Sequence, residues 1–242
     1  RTLRGMDALV TALHAYPVKA CRGLDLDAAR LDEAGFAHDR RWLVVTPEGR
    51  FITQRETPAL ARVGTAIVDD GLVLEFPDGA RVAVPPGDPR RAREVVVWSD
   101  DCSGLDCGDE AAERLGALLG RPVRLVEFDV RVPRLQPDTG PGGALAPVRF
   151  PDGYPLLLIG EESLADLNSR LPQPVPMNRF RPNLVVRGLG AYGEDRVLEL
   201  RAGGVRLRPV KACTRCTVTM TDQRTGARDA AEPLQTLKTY RW

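Results

Sequence analysis

The sequence predicts a mainly β (α+β) fold with few short helices, and three observations carry that expectation. Short β-branched runs recur between Pro-Glu-Gly, Asp-Asp-Gly and Pro-Asp-Gly turns. Helical periodicity appears in two stretches. The longest strongly apolar run, Leu156–Ile159, falls far short of the roughly 20 residues that cross a bilayer.

Taken in order, "MDALVTALHAYPV" from Met6 has no basic flank before a long apolar region and is broken by His14 and Pro17, so no signal peptide is expected. "RWLVVT" (41–46), "PEGR" and "FITQ" (51–54) read as a hairpin. "GTAIV", "LVLEF" and "ARVAV" continue as strands joined by "DDG" and "PDG". Asp109 is placed to cap "EAAERLGALL", with Ala112, Leu115, Leu118 and Leu119 on one face and Gly120 then Pro122 as the stop. Residues 131–147, "RVPRLQPDTGPGGALAP", are dense in Pro and Gly and are expected to be a linker or mobile loop. It divides a β-rich domain over 6–130 from a second over 148–242. In the second, "PLLLI" precedes the helix "EESLADLNSRL", where Leu164, Leu167 and Leu171 recur before Pro172. "NLVVRG", "RVLEL", "GVRLRPV" and "TVTMT" then read as strands. No repeat of solenoid length is present.

Composition bounds the function. The chain has 242 residues, 43% hydrophobic and 28% charged, which is ordinary for a globular protein. With 34 basic and 33 acidic residues, its net charge of +1 gives no global field for a polyanion. Neither nucleic acid nor an anionic membrane is an expected partner, and any anion site must be local. Five cysteines in no regular framework suit reduced thiols in the cytoplasm.

"PVKAC" occurs twice, at 17–21 and 209–213, in a chain with three lysines. The second copy runs into Cys213-Thr214-Arg215-Cys216, a C-x-x-C beside Lys211 and Arg215. Positive charge there favours a thiolate. Four readings stay open: a zinc half-site, a redox dithiol, inert buried thiols, or one functional thiolate presented at a short bend between strands. A second cluster is Lys19, Arg22, Arg40 and Arg41, whose plain reading is solvated strand residues, with Trp42 in the core. A third, "NRFRPNLVV", places Arg181 and Asn183 on one side of an extended chain. A guanidinium suits phosphate and an amide suits a heterocycle edge.

In order, "YPVKACRG", "DRRWLVV", "TQR", "SLADLNSRL", "FRPNLVV", "KACTRCTVTMTDQRTG" and "EPLQTLKTYR" resemble the MOSC proteins, named after the C-terminal domain of molybdenum cofactor sulfurase, and within them the amidoxime-reducing branch. The resemblance runs from about Leu13 to Arg241. It implies a MOSC β-barrel packed with an N-terminal β-rich domain, and molybdenum-molybdopterin held between them. By the same resemblance Cys216 is the metal ligand, and Lys19, Arg40, Arg181, Asn183, Thr214 and Arg215 contact the cofactor. Relatives often carry Ser after the first-motif lysine; this chain has Ala20, which removes one side-chain hydrogen bond. They also commonly continue with more strand where this sequence stops at Trp242.

The implied activity is reduction of N-hydroxylated or other N-oxygenated small molecules, with electrons from a separate redox protein, since the cysteines have no iron–sulfur spacing. Asp222, in the turn after Cys216, is the candidate proton donor. The competing expectation is a non-catalytic molybdopterin or sulfur carrier.

Overall fold

The computed structural model describes residues 7–137, 145–228 and 231–241. The readings placed on Met6 and on residues 138–144 lie outside them. Among the described residues there are seventeen strands and three α-helices, a mainly β architecture, and no helix is long and apolar enough to cross a membrane.

The strands Gly64–Val68, Gly71–Glu75 and Arg81–Val84 form the meander read from the sequence. Asp69 and Asp70 both have positive φ, 49° and 62°, between the paired Val68 and Gly71. That two-residue turn matches the twist of its flanking strands. Leu72, Leu74, Val82 and Val84 alternate inward. They share one core with Leu60 of the 3-10 helix Pro58–Arg62, Leu115 of the helix Asp109–Leu119, and Val18, Val44 and Leu125.

A second antiparallel sheet has the order Trp42–Val45, Arg124–Phe128, Asp100–Asp106, Asp88–Val97. Its first strand is buried on both faces, which explains its unbroken apolar run. Trp42 and Val44 join the first core. Leu43 and Val45 face the other way, onto Val95, Val126, Phe128 and Phe150.

The third sheet joins the two halves of the chain. Leu9–Ala15 pairs antiparallel with Leu184–Arg187 on one side and with Leu24–Leu26 on the other. Leu158–Gly160 lies parallel to Leu184–Arg187. The helix Glu161–Arg170 packs Leu167 with Ile159, Leu171 and Phe180 as a third core.

Four sequence expectations need correction. "TVTM" is a 3-10 turn, Thr217–Met220, because both the amide and the hydroxyl of Thr219 bond the Cys216 carbonyl (3.1 and 2.9 Å). Local side-chain bonding of this kind competes with strand pairing. No strand precedes it either: residues 208–216 carry no regular element. The cap of Asp109–Leu119 is Gly108, at φ 91°, while the Asp109 carboxylate accepts from Arg124 (2.8 Å) and Arg91 (3.3 Å). Within 131–147, Arg134–Pro137 and Leu145–Val148 pair as a β-ladder. The stop of Asp109–Leu119 at Gly120, left-handed at φ 67°, is as expected.

Candidate functional site

Lys19 follows Val18, which bridges Trp42, and its amide bonds the Trp42 carbonyl. This fixes the side chain in a buried position, 6% exposed. Its Nζ donates to the Phe150 carbonyl (2.7 Å) and to Asp152 Oδ1 (2.5 Å). Burial outweighs the Asp152 attraction and lowers the ammonium to about 8. Asp152 is also held by Arg55 Nη2 (3.0 Å) and Trp98 Nε1 (3.2 Å). Burial alone would raise its pKa, but Lys19 and Arg55 hold it well below the usual carboxylate range.

Arg40 donates to Asp39 Oδ2 (2.5 Å) and Asn183 Oδ1 (2.8 Å). Asn183 in turn donates to Asp39 Oδ1 and the His14 carbonyl, both 3.0 Å. The guanidiniums of Arg40 and Arg181 lie 4.4 and 4.2 Å from the Tyr16 ring centre. Burial, with the neighbouring Arg40 charge, brings Arg181 down to about 10, and burial pushes Tyr16 up to about 12. Arg181 donates to Gln223 Oε1 (3.1 Å) and has no carboxylate partner among the described residues. Gln223 and Gln54 exchange reciprocal amide hydrogen bonds of 2.9 and 3.0 Å, and Gln54 also bonds the Ala20 carbonyl (2.6 Å).

Ala20, Arg40 and Arg181 have left-handed φ of 69°, 46° and 56°. Such geometry is unfavourable for side-chain-bearing residues and persists where surrounding contacts impose it, often at functional sites. It also corrects the expectation of an extended chain at Arg181: a left-handed residue, not strand alternation, brings it beside Asn183's network.

Cys216 opens the 3-10 turn and is half-buried, while Cys213 is exposed. The Cys216 side chain meets the Arg55 guanidinium. Burial opposes the Arg55 charge, but the attraction of Asp152 and of the neighbouring Cys216 more than offsets it, so its pKa is raised. Arg55 also lies over the Trp98 ring, 4.5 Å from its centre, and its carbonyl accepts from Arg228 (3.0 Å). Thr214 is exposed, and Arg215 lies over the Phe180 ring at 5.4 Å.

Asp222 anchors its turn. Its Oδ1 accepts from the amides of Arg224 (3.0 Å) and Thr225 (2.8 Å), and its Oδ2 from Arg179 (3.3 Å). The Thr225 amide leads in holding its carboxyl below the usual carboxylate range.

The structure therefore gathers Lys19, Arg40, Arg181 and Asn183 into contact networks and sets Cys216 against Arg55. It brings in residues the sequence reading did not select as site residues: Arg55, Asp152, Trp98, Gln54 and Gln223. The fragments "TQR" and "TDQR" contain three of them. Asp152 was hidden in "PDG", which reads as turn punctuation.

Four cations, Lys19, Arg40, Arg55 and Arg181, face two carboxylates, Asp39 and Asp152, in these networks. The excess positive charge, with a half-buried Arg181 guanidinium that forms no ion pair among the described residues, suits a phosphorylated ligand. Among the described residues no three His, Cys, Asp or Glu side chains cluster around a metal position. A metal here would take the Cys216 sulfur and bring its other ligands with it. The donor set fits molybdenum on a phosphorylated pterin.

Residues 7–122 match the MOSC N-terminal beta barrel domain and residues 146–242 the MOSC domain. The chain is 37% identical over 241 residues to mitochondrial amidoxime reducing component 2 of Bos taurus, covering 96% of this chain and 72% of that protein. It is 36% identical over 244 residues to mitochondrial amidoxime-reducing component 1 of Mus musculus, covering 96% and 71%. Against component 2 of Homo sapiens the identity is 34% over 244 residues, covering 96% and 72%.

Proposed function

This chain belongs to the MOSC family, and from that premise we propose that it is a molybdenum-molybdopterin oxidoreductase of N-oxygenated small molecules. The observation that carries the reading is the placement of the Cys216 side chain beside Arg55, which Asp152 also holds (3.0 Å), next to the Lys19, Arg40 and Arg181 cations. The amidoxime-reducing names of the relatives support the reaction class.

In this reading Arg40, Arg181 and Lys19 bind the phosphate, and Asn183 orients Arg40 and Asp39 around it. Thr214 and Arg215 flank the pterin. Cys216 ligates the metal, and Arg55 stabilises negative charge on the sulfur. The bound group supplies two-electron chemistry that removes oxygen from nitrogen. In balance, R–NHOH takes two electrons and two protons and yields R–NH2 and water. A separate redox protein provides the electrons. Asp222, held in its turn, positions Arg179 and the segment after Cys216. A cytoplasmic location is part of the proposal, because five unpaired cysteines suit a reducing compartment.

The test is to follow benzamidoxime consumption and benzamidine formation by cofactor-loaded protein with a chemical reductant. Stoichiometric conversion supports the proposal. Loaded protein that retains molybdenum but never consumes an N-oxygenated compound contradicts it and leaves a carrier.

A further inference from the structure

We propose that Trp98 is the substrate platform of this site and that it selects N-oxygenated compounds whose N–O group sits on a planar aromatic body. The proposal deepens the reductase reading and rests on it for the identity of the reacting group.

Trp98 occupies an unusual place in the backbone. The strands Asp88–Val97 and Asp100–Asp106 pair from Val97 with Asp100, leaving a two-residue loop of Trp98 and Ser99. Trp98 has φ 60°, and Ser99 is not among the positive-φ residues. Positive φ at the first loop residue alone is the pattern of a type II′ turn, whose first place normally belongs to glycine. A bulky side chain there is an outlier, and the turn itself gives no reason for it.

The surroundings supply the reason. Trp98 is 49% exposed and is the only aromatic among the large exposed apolar side chains of the described residues. Three contacts nonetheless hold it in one orientation. Its Nε1 donates to Asp152 (3.2 Å), Arg55 lies over its ring at 4.5 Å, and Phe51 meets it edge-on at 5.3 Å and 61°. Arg55 is the same guanidinium that meets Cys216, and Asp152 is the carboxylate that holds Lys19. An exposed indole is thus rigidly oriented by the residues that organise the candidate metal thiolate.

A fixed, half-exposed aromatic surface attracts a flat aromatic partner by offset stacking and burial of apolar area, at little ordering cost. A small aliphatic N-oxygenated compound gains little from it. The platform therefore discriminates by the body of the substrate, and the thiolate end by its N–O group.

The experiment uses molybdenum-loaded protein without electron donor, so that nothing turns over. The indole N–H resonance of Trp98, assigned with Trp98→Gly, is followed by NMR during titration with benzamidoxime and, separately, with acetamidoxime. The resonance is expected to shift with benzamidoxime and to stay in place with acetamidoxime at equal concentration. With reductant, Trp98→Gly is expected to raise KM for benzamidoxime roughly tenfold, a factor of the size a stacking contact supplies, and to change KM for acetamidoxime clearly less. Glycine suits this turn, so Tm and molybdenum content should not fall; Trp98→Phe should restore most of the aromatic preference. An indole signal unmoved by benzamidoxime, or equal KM changes for both substrates, overturns the platform. If the indole responds but no N-oxygenated compound is ever reduced, the platform stands as an aromatic binding site and the reductase reading fails.

Discussion

Asn183 is 1% exposed, and both ends of its amide are occupied. Its Oδ1 accepts from Arg40 (2.8 Å) and the Leu157 amide (3.2 Å), while its Nδ2 donates to His14 and Asp39. Asn183→Ala strands several buried polar groups, each worth about 1–3 kcal/mol when unsatisfied. The variant is expected to lose at least about 2 kcal/mol in urea unfolding, and an unchanged midpoint would contradict this network. Asn183 stood out in the sequence as an amide beside Arg181, but its actual partners were not legible there. Arg40 and Asp39 lie more than a hundred residues away, and no local spacing encodes that meeting. Asp222 shows the converse: its turn-forming character was visible in "TDQRTG", and the turn amides hold its carboxyl below the usual carboxylate range.

Among elements, the ladder of Asp88–Val97, Asp100–Asp106 and Arg124–Phe128 is tied at one end by Asp106. This buried carboxylate accepts from Arg93 (2.6 Å) and Arg124 Nε (2.8 Å) and holds the Gly108 amide (2.9 Å) at the start of Asp109–Leu119. Burial alone would raise its pKa, but the Arg124, Gly108 and Arg93 hydrogen bonds lower it from 3.8 to about 2. The folded value is the lower one, so the unfolded chain takes up the extra proton. The stability Asp106 contributes is complete above pH 3.8 and is lost as pH falls towards about 2. Stability curves of wild type and Asp106→Asn should converge over that window; parallel curves would contradict the assignment. Strands punctuated by Asp-Gly were readable because turn chemistry is local. "TVTM" was misread because its β-branched composition favours strand, while the Thr219 bonds to the Cys216 carbonyl decide the conformation.

At the scale of the molecule, two features couple the halves. Leu9–Ala15 completes the sheet of Leu184–Arg187, and Phe150, fully buried, inserts among Leu43, Val126 and Phe128. The carbonyl of Phe150 accepts from the Lys19 ammonium and its amide donates to the Arg40 carbonyl, so the same residue ties down the Lys19 side chain and the Arg40 backbone. Phe150→Ala is expected to destabilise the protein by about 3–5 kcal/mol and to lower molybdenum retention with it. A large loss of stability without loss of metal would separate the core from the site. The Pro- and Gly-rich composition of 131–147 was visible in the sequence. That the first strand crosses to the second half was not, because strand pairing partners depend on long-range packing rather than on the strand's own pattern.

The central claim is that Cys216 is the single protein ligand of a molybdenum held by the surrounding cations. Molybdenum per protein, measured by elemental mass spectrometry on material from a host that makes molybdopterin, tests it most directly. Wild type and Cys213→Ser should retain metal, and Cys216→Ser should lose it while remaining folded. Equal metal in Cys216→Ser, or none in folded wild type with proven cofactor supply, would contradict the account.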